Sequence, residues 1–177
     1  SNTHRQVLIY EALSAEPPRF AHLSTILGPD GQKLSKRHGA TSIEDFRRRG
    51  YLPEALVNYL VRLSWSHGDQ EIFTTDELVR LFSLDAVGKS PAVFNPEKLL
   101  WLNQHYIRQY STERLVDAVS PFWAGMGLDV TDRAYLSRIA TDLQPRSKTL
   151  VEMADAGRFY FSDEVVYDEA AAQKFLK

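Results

Sequence analysis

The feature that most constrains this chain is a predicted strand with no predicted neighbour. Residues 20–27 form the only convincing strand near the N-terminus, and Leu23, Ile26 and Leu27 make it apolar. Helices are predicted on both sides of it, the first over residues 4–13 with Thr3 as its cap. Because isolated β structure is only marginally stable in water, we expect the first forty residues to be the end of a larger domain whose other strands lie elsewhere.

A tight turn and a cluster of cations follow the strand. In the turn at residues 28–31, Pro29 presets φ and Gly31 accepts a positive φ. Five polar side chains then come within six residues: Lys33, Ser35, Lys36, Arg37 and His38. Ammonium, guanidinium and hydroxyl donors on a glycine-flanked loop suit a polyphosphate ligand, although a basic loop can also be no more than a solvated turn.

Composition limits the possible classes of protein. The chain has 177 residues, of which 44% are hydrophobic and 25% charged, so it can bury a core, and its formal net charge of −2 means that any basic surface must be local. The absence of cysteine excludes disulfides and thiolate zinc sites. No apolar run approaches the roughly 20 residues that span a bilayer and no secretory segment opens the chain. We therefore expect a cytoplasmic protein with neither a metal site nor a membrane contact.

Capping signals predict a series of helices after the loop. A capping box at residues 41–44 opens a helix that ends at Gly50, Pro53 starts the next helix, Thr74 and Glu77 form a second capping box, and Asn95 with Pro96 starts a longer helix. The helical spacing predicts that Leu8, Ile9, Ala12 and Leu13 share a face, and that Leu56, Leu60 and Leu63 form a buried stripe.

The second half is also predicted to be helical. A boundary is expected near residues 109–111, followed by amphipathic helices around Val119, around Ile139 and around Met153, with Pro121 as a possible kink and residues 159–161 as an aromatic plug. Five residues are candidates for RNA contact, each with an alternative structural role such as helix packing or complementing a helix dipole: Arg47, Trp101, Asn103, Arg146 and Lys148.

The loop carries a resemblance to a known family. Residues 33–37, Lys-Leu-Ser-Lys-Arg, resemble the KMSKS loop of class I aminoacyl-tRNA synthetases, with Leu34 in place of methionine, and the wider run over residues 28–42 resembles bacterial-type glutamyl-tRNA synthetases. The resemblance implies a mainly α fold with three parts. Residues 1–40 would end a Rossmann-like catalytic domain, residues 41–110 would form a helical stem-contact domain, and residues 111–177 would begin an α-helical anticodon-binding domain.

The resemblance also implies a reaction and its partners. ATP, with Mg²⁺, and L-glutamate would give glutamyl-adenylate and pyrophosphate, and the glutamyl group would pass to tRNA(Glu). Lys36 would contact the ATP phosphates, with Lys33, Ser35 and Arg37 assisting. Because no HIGH-type motif occurs in the sequence, we expect that the chain cannot charge tRNA alone.

Two alternatives remain at this stage. A glutaminyl-tRNA synthetase has a related loop but would continue into β-barrels, which the helical periodicity up to Ala154 disfavours. A non-catalytic helical module that binds RNA or protein is the other alternative. The sequence does not indicate which residues would contact the anticodon, whether the parent enzyme discriminates between tRNAs, or its oligomeric state.

Overall fold

The computed structural model describes residues 2–39 and 42–162, which are mainly helical, as the sequence predicts. These residues form eight α-helices, namely α1 (Thr3–Ala12), α2 (Ile43–Arg48), α3 (Pro53–Arg62), α4 (Thr75–Leu81), α5 (Pro96–Gln109), α6 (Thr112–Gly125), α7 (Arg133–Leu143) and α8 (Leu150–Gly157). Short 3-10 turns lie at Lys36–His38, Leu84–Ala86 and Arg158–Phe161.

The predicted strand is much shorter than expected, and it has a partner. Strand β1 is only Ile26–Leu27, and it pairs in parallel with β2, Ala92–Val93. The prediction of a strand over residues 20–27 without a neighbour in the chain is therefore wrong in its extent and in its isolation. Parallel pairing needs a long crossover connection, and here the crossover consists of the loop and helices α2 to α4.

Most helix starts follow the predicted capping residues, but α1 begins at Thr3 with Asn2, rather than Thr3, in the cap position. Thr74 caps α4 with Glu77 as its reciprocal partner, Asn95 caps α5, and proline occupies the first turn of α3. The capping box of α2 is displaced by one residue from the prediction: Ser42 accepts from the Asp45 amide at 3.1 Å, and the Ser42 amide donates to Asp45 at 3.3 Å. Thr41, the predicted cap, lies outside the described residues.

The buried residues form three apolar clusters. The largest, which we call the bundle core, is made by α6, α7 and α8 together with Leu52, Ala55 and Ile107. The second, the loop-side core, contains Phe46, Leu56, Tyr59, Phe94, Leu99 and Leu102, and Ile26 and Leu34 pack against it. The third is a small group of Trp65, Phe73 and Leu78. Helices α3 and α5 contribute to both larger cores, which ties the two halves of the chain together.

Two predicted apolar surfaces differ from the structure, and a third is left uncovered. The uncovered one contains Leu8 and Ile9 of α1 and Leu13 directly after it, all exposed. In α3, Leu60 is exposed, and the buried face instead runs through Ala55, Leu56 and Tyr59. In the predicted aromatic plug, Phe161 packs on Trp123 but Phe159 is exposed. Helical spacing finds apolar residues, but the neighbours that cover them are set by the tertiary structure.

Candidate functional site

The cationic loop begins with a reversal of the chain directly after β1. The Gly31 amide donates to the Gly28 carbonyl at 3.0 Å, and the Gly28 amide donates to the Gln32 carbonyl at 2.7 Å. Gly31 has a φ of +73°, a conformation that glycine adopts without a steric cost. The turn returns the chain beside β1, where Lys33 forms an antiparallel bridge with Leu27.

Leu34 anchors the loop to the protein. Its amide donates to the Ile26 carbonyl at 2.9 Å, and its side chain packs with Ile26 against the loop-side core. Because successive side chains of extended backbone point to opposite sides, an inward Leu34 leaves Lys33 exposed. The apolar residue inside the motif therefore explains why the cation before it faces solvent.

A 3-10 turn presents the remaining cations. Ser35 is extended, and the His38 amide donates to the Ser35 carbonyl at 2.8 Å, which closes the turn Lys36–His38. Gly39 ends the turn with a φ of +102°. Lys36 and Arg37 are exposed, whereas Ser35 is half-buried.

The three cations of the motif differ in their partners. Arg37 donates to Asp30 at 3.0 Å. Neither Lys33 nor Lys36 forms an ion pair within the part of the chain that the structure describes. The two lysine ammonium groups are therefore available to an anionic ligand, and the loop offers two mobile point charges beside one guanidinium that is already paired.

Sequence reasoning assigned no site role to His38 or Asp30. The Ser35 amide donates to His38 Nδ1 at 3.0 Å, and His38 Nε2 lies 3.1 Å from Asp30 Oδ1. The pKa of Asp30 is lowered, chiefly because its carboxylate accepts from the Gln32 amide and secondarily because of the hydrogen bond with His38. The Gly-Pro-Asp-Gly turn marks Asp30 as a residue of interest in the sequence. No local signal in the sequence indicates that His38 is its partner.

The candidate RNA-contact residues are spread over α2, α5 and the segment between α7 and α8. Trp101 is exposed on α5, with its ring centroid 6.2 Å from that of His105. Arg47 is exposed and lies 3.8 Å from Glu44, and Arg146 lies 3.3 Å from Asp142. Lys148 is also exposed.

Asn103, one of the candidates for RNA contact, does not reach the surface. Its side chain is fully buried, its Oδ1 accepts from the Leu52 amide at 2.7 Å, and its Nδ2 donates to the Lys148 carbonyl at 2.6 Å. The amide therefore belongs to an internal junction, which is the packing role that the sequence offered as the alternative to RNA contact.

The described residues contain neither a metal-binding cluster nor a membrane-spanning helix. Within residues 2–39 and 42–162, no three His, Asp or Glu side chains lie close enough together to hold a metal ion. Among the same residues, no helix combines the length and the apolar character needed to cross a membrane.

Comparison with known families assigns the chain to one of them. The sequence model of the catalytic domain of class I tRNA synthetases (E and Q) matches residues 1–101, which is more than half of the chain. The chain belongs to this family of class I tRNA synthetases. A second model, of an anticodon-binding domain, matches residues 114–177.

Individual relatives agree with this assignment. The synthetase chain is 58% identical to glutamate–tRNA ligase 1 of Syntrophus aciditrophicus over 99% of its own length and 37% of that protein. It is 56% identical to the glutamate–tRNA ligase of Geobacter sulfurreducens, of which it covers 38%. These similarities confirm the resemblance to bacterial-type glutamyl-tRNA synthetases, and the chain spans little more than a third of these relatives.

A solved structure shows the same fold. The crystal structure of a glutamate tRNA ligase from Elizabethkingia meningosepticum, in complex with its amino acid, superimposes with a TM-score of 0.75 at 34% identity. The match covers 97% of this synthetase chain and 38% of that chain. In the second half of the chain, the described residues 111–162 are helical and form none of the β-barrels expected of a glutaminyl-tRNA synthetase, so that alternative is disfavoured.

Proposed function

We propose that this chain is the part of a glutamate–tRNA ligase that carries the triphosphate-binding loop and the first helices that contact tRNA(Glu). The proposal depends above all on one observation: the KMSKS-like loop holds Lys33 and Lys36 exposed, and neither has an ion-pair partner among the described residues. The reaction would use ATP with Mg²⁺ and L-glutamate, in the cytoplasm. A boundary near residue 40 and another near residue 110 would separate its catalytic, stem-contact and anticodon-binding parts.

The chemical task of the loop is charge stabilisation. In adenylate formation a glutamate carboxylate oxygen attacks the α-phosphorus of ATP, the bond to the β-phosphate oxygen breaks, and pyrophosphate leaves with the added negative charge. Ammonium groups that meet this charge stabilise the transition state. We assign phosphate contact to Lys36, with Lys33 assisting, Ser35 donating from its hydroxyl and Arg37 available once it releases Asp30.

The test of this role is Lys36→Ala in the complete synthetase. Removing a donor that acts on the transition state typically costs ~3–4 kcal/mol, or a hundredfold or more in rate. We expect ATP–pyrophosphate exchange to slow by at least that factor, with little change in the Kd for tRNA(Glu). Lys89→Ala, which removes another exposed lysine outside the loop, is the matched control. An unchanged exchange rate in Lys36→Ala would remove Lys36 from the mechanism.

We also propose that the 177-residue chain does not charge tRNA on its own. The sequence holds no HIGH-type motif, and the apolar face of α1, with Leu8, Ile9 and Leu13 exposed, suits packing against the rest of a catalytic domain. Glutamate-dependent ATP–pyrophosphate exchange by the purified chain would contradict this proposal.

The proposed function also predicts that the same chain binds tRNA, and this can be tested separately. Contacts to phosphates release counterions, so we expect tRNA(Glu) affinity to fall steeply between about 50 and 200 mM salt. Arg47→Ala, Arg146→Ala and Lys148→Ala should each weaken binding and make the salt slope shallower by roughly one. Trp101→Ala should weaken binding without changing the slope, because stacking carries no charge.

Fluorescence titration at several salt concentrations measures both quantities. Phe159→Ala, which truncates another exposed aromatic residue, is the control for Trp101→Ala. Affinity that does not depend on salt would argue against phosphate contacts, and an equal loss in the Trp101 and Phe159 variants would argue against stacking at Trp101.

A further inference from the structure

We infer that His38 is a positioning residue for the cationic loop, and that together with Asp30 it forms a clasp that holds Lys33 and Lys36 where they meet phosphate. This inference rests on the proposed function, because it concerns how the same loop is shaped. It adds two residues to the site that have no direct role in phosphate binding.

The burial of His38 is the first observation. Its side chain is only 9% exposed, although Lys33, Lys36 and Arg37 around it are exposed. The imidazole ring lies against the backbone of Gly28, where a Cβ would come within 2.8–2.9 Å of the ring atoms. Glycine at position 28 therefore makes room for His38, in addition to serving the turn.

The two ring nitrogens of His38 contact different parts of the loop. The Ser35 amide donates to Nδ1 at 3.0 Å, so Nδ1 acts as an acceptor in the neutral ring. Nε2 lies 3.1 Å from Asp30 Oδ1 and 3.4 Å from Arg37 Nε. The ring thus connects the backbone just before the 3-10 turn with the carboxylate of the preceding tight turn.

Asp30 completes the clasp from the other side. Its Oδ1 also accepts from the Gln32 amide at 3.0 Å, and its Oδ2 accepts from Arg37 at 3.0 Å. One carboxylate therefore joins the two ends of the segment that carries Lys33 and Lys36. Arg37 is engaged in this framework, whereas the two lysines are not.

The clasp would act through preorganisation. A loop that already has its binding shape does not have to be ordered when the phosphate charge develops, and small misplacements of binding groups can cost large factors in rate. Loss of the clasp leaves Lys33 and Lys36 in the sequence but no longer fixes their positions. We therefore expect kcat/KM for ATP to fall on the order of tenfold or more in His38→Ala, with an unchanged KM for glutamate.

Conservative variants separate the two halves of the clasp. His38→Asn keeps an acceptor near Nδ1 for the Ser35 amide but does not reach Asp30, whereas His38→Gln offers a donor toward Asp30 but no acceptor for Ser35. Each should restore part of the activity that His38→Ala loses. The double variant with His38→Ala and Asp30→Asn should be little less active than the less active of the two single variants, because both changes remove the same His38–Asp30 contact.

The measurements are steady-state ATP–pyrophosphate exchange in the complete synthetase and the NMR titration of Asp30 in the 177-residue chain. His38→Ala should raise the pKa of Asp30 toward its ordinary value, because one of the hydrogen bonds that lower it is lost. His67→Ala, which changes an exposed loop histidine stacked on Trp65, should change neither quantity. Asp30→Asn tests the clasp without opening a buried position, since Asp30 is exposed.

The outcomes distinguish the clasp from the proposed function. If kcat/KM for ATP is unchanged in His38→Ala and Asp30→Asn while Lys36→Ala abolishes exchange, the clasp is wrong and the function stands. Additive losses in the double variant, or no recovery in either His38→Asn or His38→Gln, would also overturn it. If Lys36→Ala has no effect either, the proposed function itself fails.

Discussion

Two buried asparagines carry much of the polar contact between segments of this molecule. Asn58 accepts from the Phe73 amide at 2.7 Å and donates to the Glu71 carbonyl at 2.9 Å. Asn103 joins the backbone at Leu52 to that at Lys148 in the same way. A side-chain amide offers both an acceptor and donors, so one residue can pair backbone groups that lie outside any helix. Such groups would otherwise be buried without a partner.

Asn103→Ala should destabilise the 177-residue chain substantially. Leaving a buried polar group unpaired costs about 1–3 kcal/mol, and this change affects both the Leu52 amide and the Lys148 carbonyl. Urea unfolding at pH 7 measures the loss, with Gln109→Ala on the exposed end of α5 as the control, expected to stay within about 0.5 kcal/mol. Equal unfolding midpoints for the two variants would show that the Asn103 junction contributes little.

Among the helices, α2 depends most for its stability on the residues at its two ends. It has only six residues, Ile43–Arg48, and helices this short are unstable without tertiary support. Ser42 and Asp45 pair reciprocally at its start, Phe46 is buried in the loop-side core, and Gly50 ends it with a φ of +76°. This helix follows the cationic loop directly. Its caps therefore help to fix the position of the C-terminal end of the loop relative to the loop-side core.

The capping box makes α2 sensitive to acid. Hydrogen bonds with Ser42, and then the one with Arg48, lower the pKa of Asp45 to about 2. Because the folded pKa is depressed, the carboxylate stabilises the helix above its ordinary pKa of 3.8, and this contribution is lost as the pH falls toward 2. NMR titration should show the low midpoint, and Ser42→Ala should raise it.

Asp129 provides the internal control for this titration. Its pKa is lowered by the hydroxyl and amide of Thr131, in the segment between α6 and α7. The Asp129 midpoint should not move in Ser42→Ala. An Asp45 midpoint near 3.8 in the unaltered chain would show that the capping box does not form in solution.

At the scale of the whole molecule, the two larger cores are joined through shared helices and one close backbone approach. The Leu150 amide at the start of α8 donates to the Gly50 carbonyl at 3.0 Å. A Cβ at position 50 would lie 2.5 Å from the Val151 nitrogen. The end of α2 thus lies directly against α8, which belongs to the bundle core.

Gly50→Ala therefore tests the junction between the halves. A positive φ alone costs a non-glycine residue about 1–2 kcal/mol, and here the new methyl group also collides with backbone. Gly127→Ala is the matched control, because Gly127 has a φ of +77° and nothing within 4 Å of the added Cβ. Thermal unfolding should show a larger loss in Gly50→Ala, and equal losses would mean that α8 moves aside without cost.

Local signals in the sequence were sufficient for several features. The caps at Thr74 and Asn95, the start at Pro53 and the end at Gly50 are decided by neighbouring residues, because capping bonds span only three or four positions. The order Lys-Leu-Ser-Lys-Arg likewise indicates the family from the sequence alone, since a motif on one loop is contiguous in the chain.

Only the tertiary structure decided which distant segments meet. The pairing of Ile26–Leu27 with Ala92–Val93, the burial of Asn103 and the exposure of Leu60 depend on how helices stack. The contact between His38 and Asp30 depends on the loop folding back over Gly28. Helical spacing tells which residues share a face, but the free energy of burial is set by the neighbour that covers the face, and that neighbour lies far along the chain.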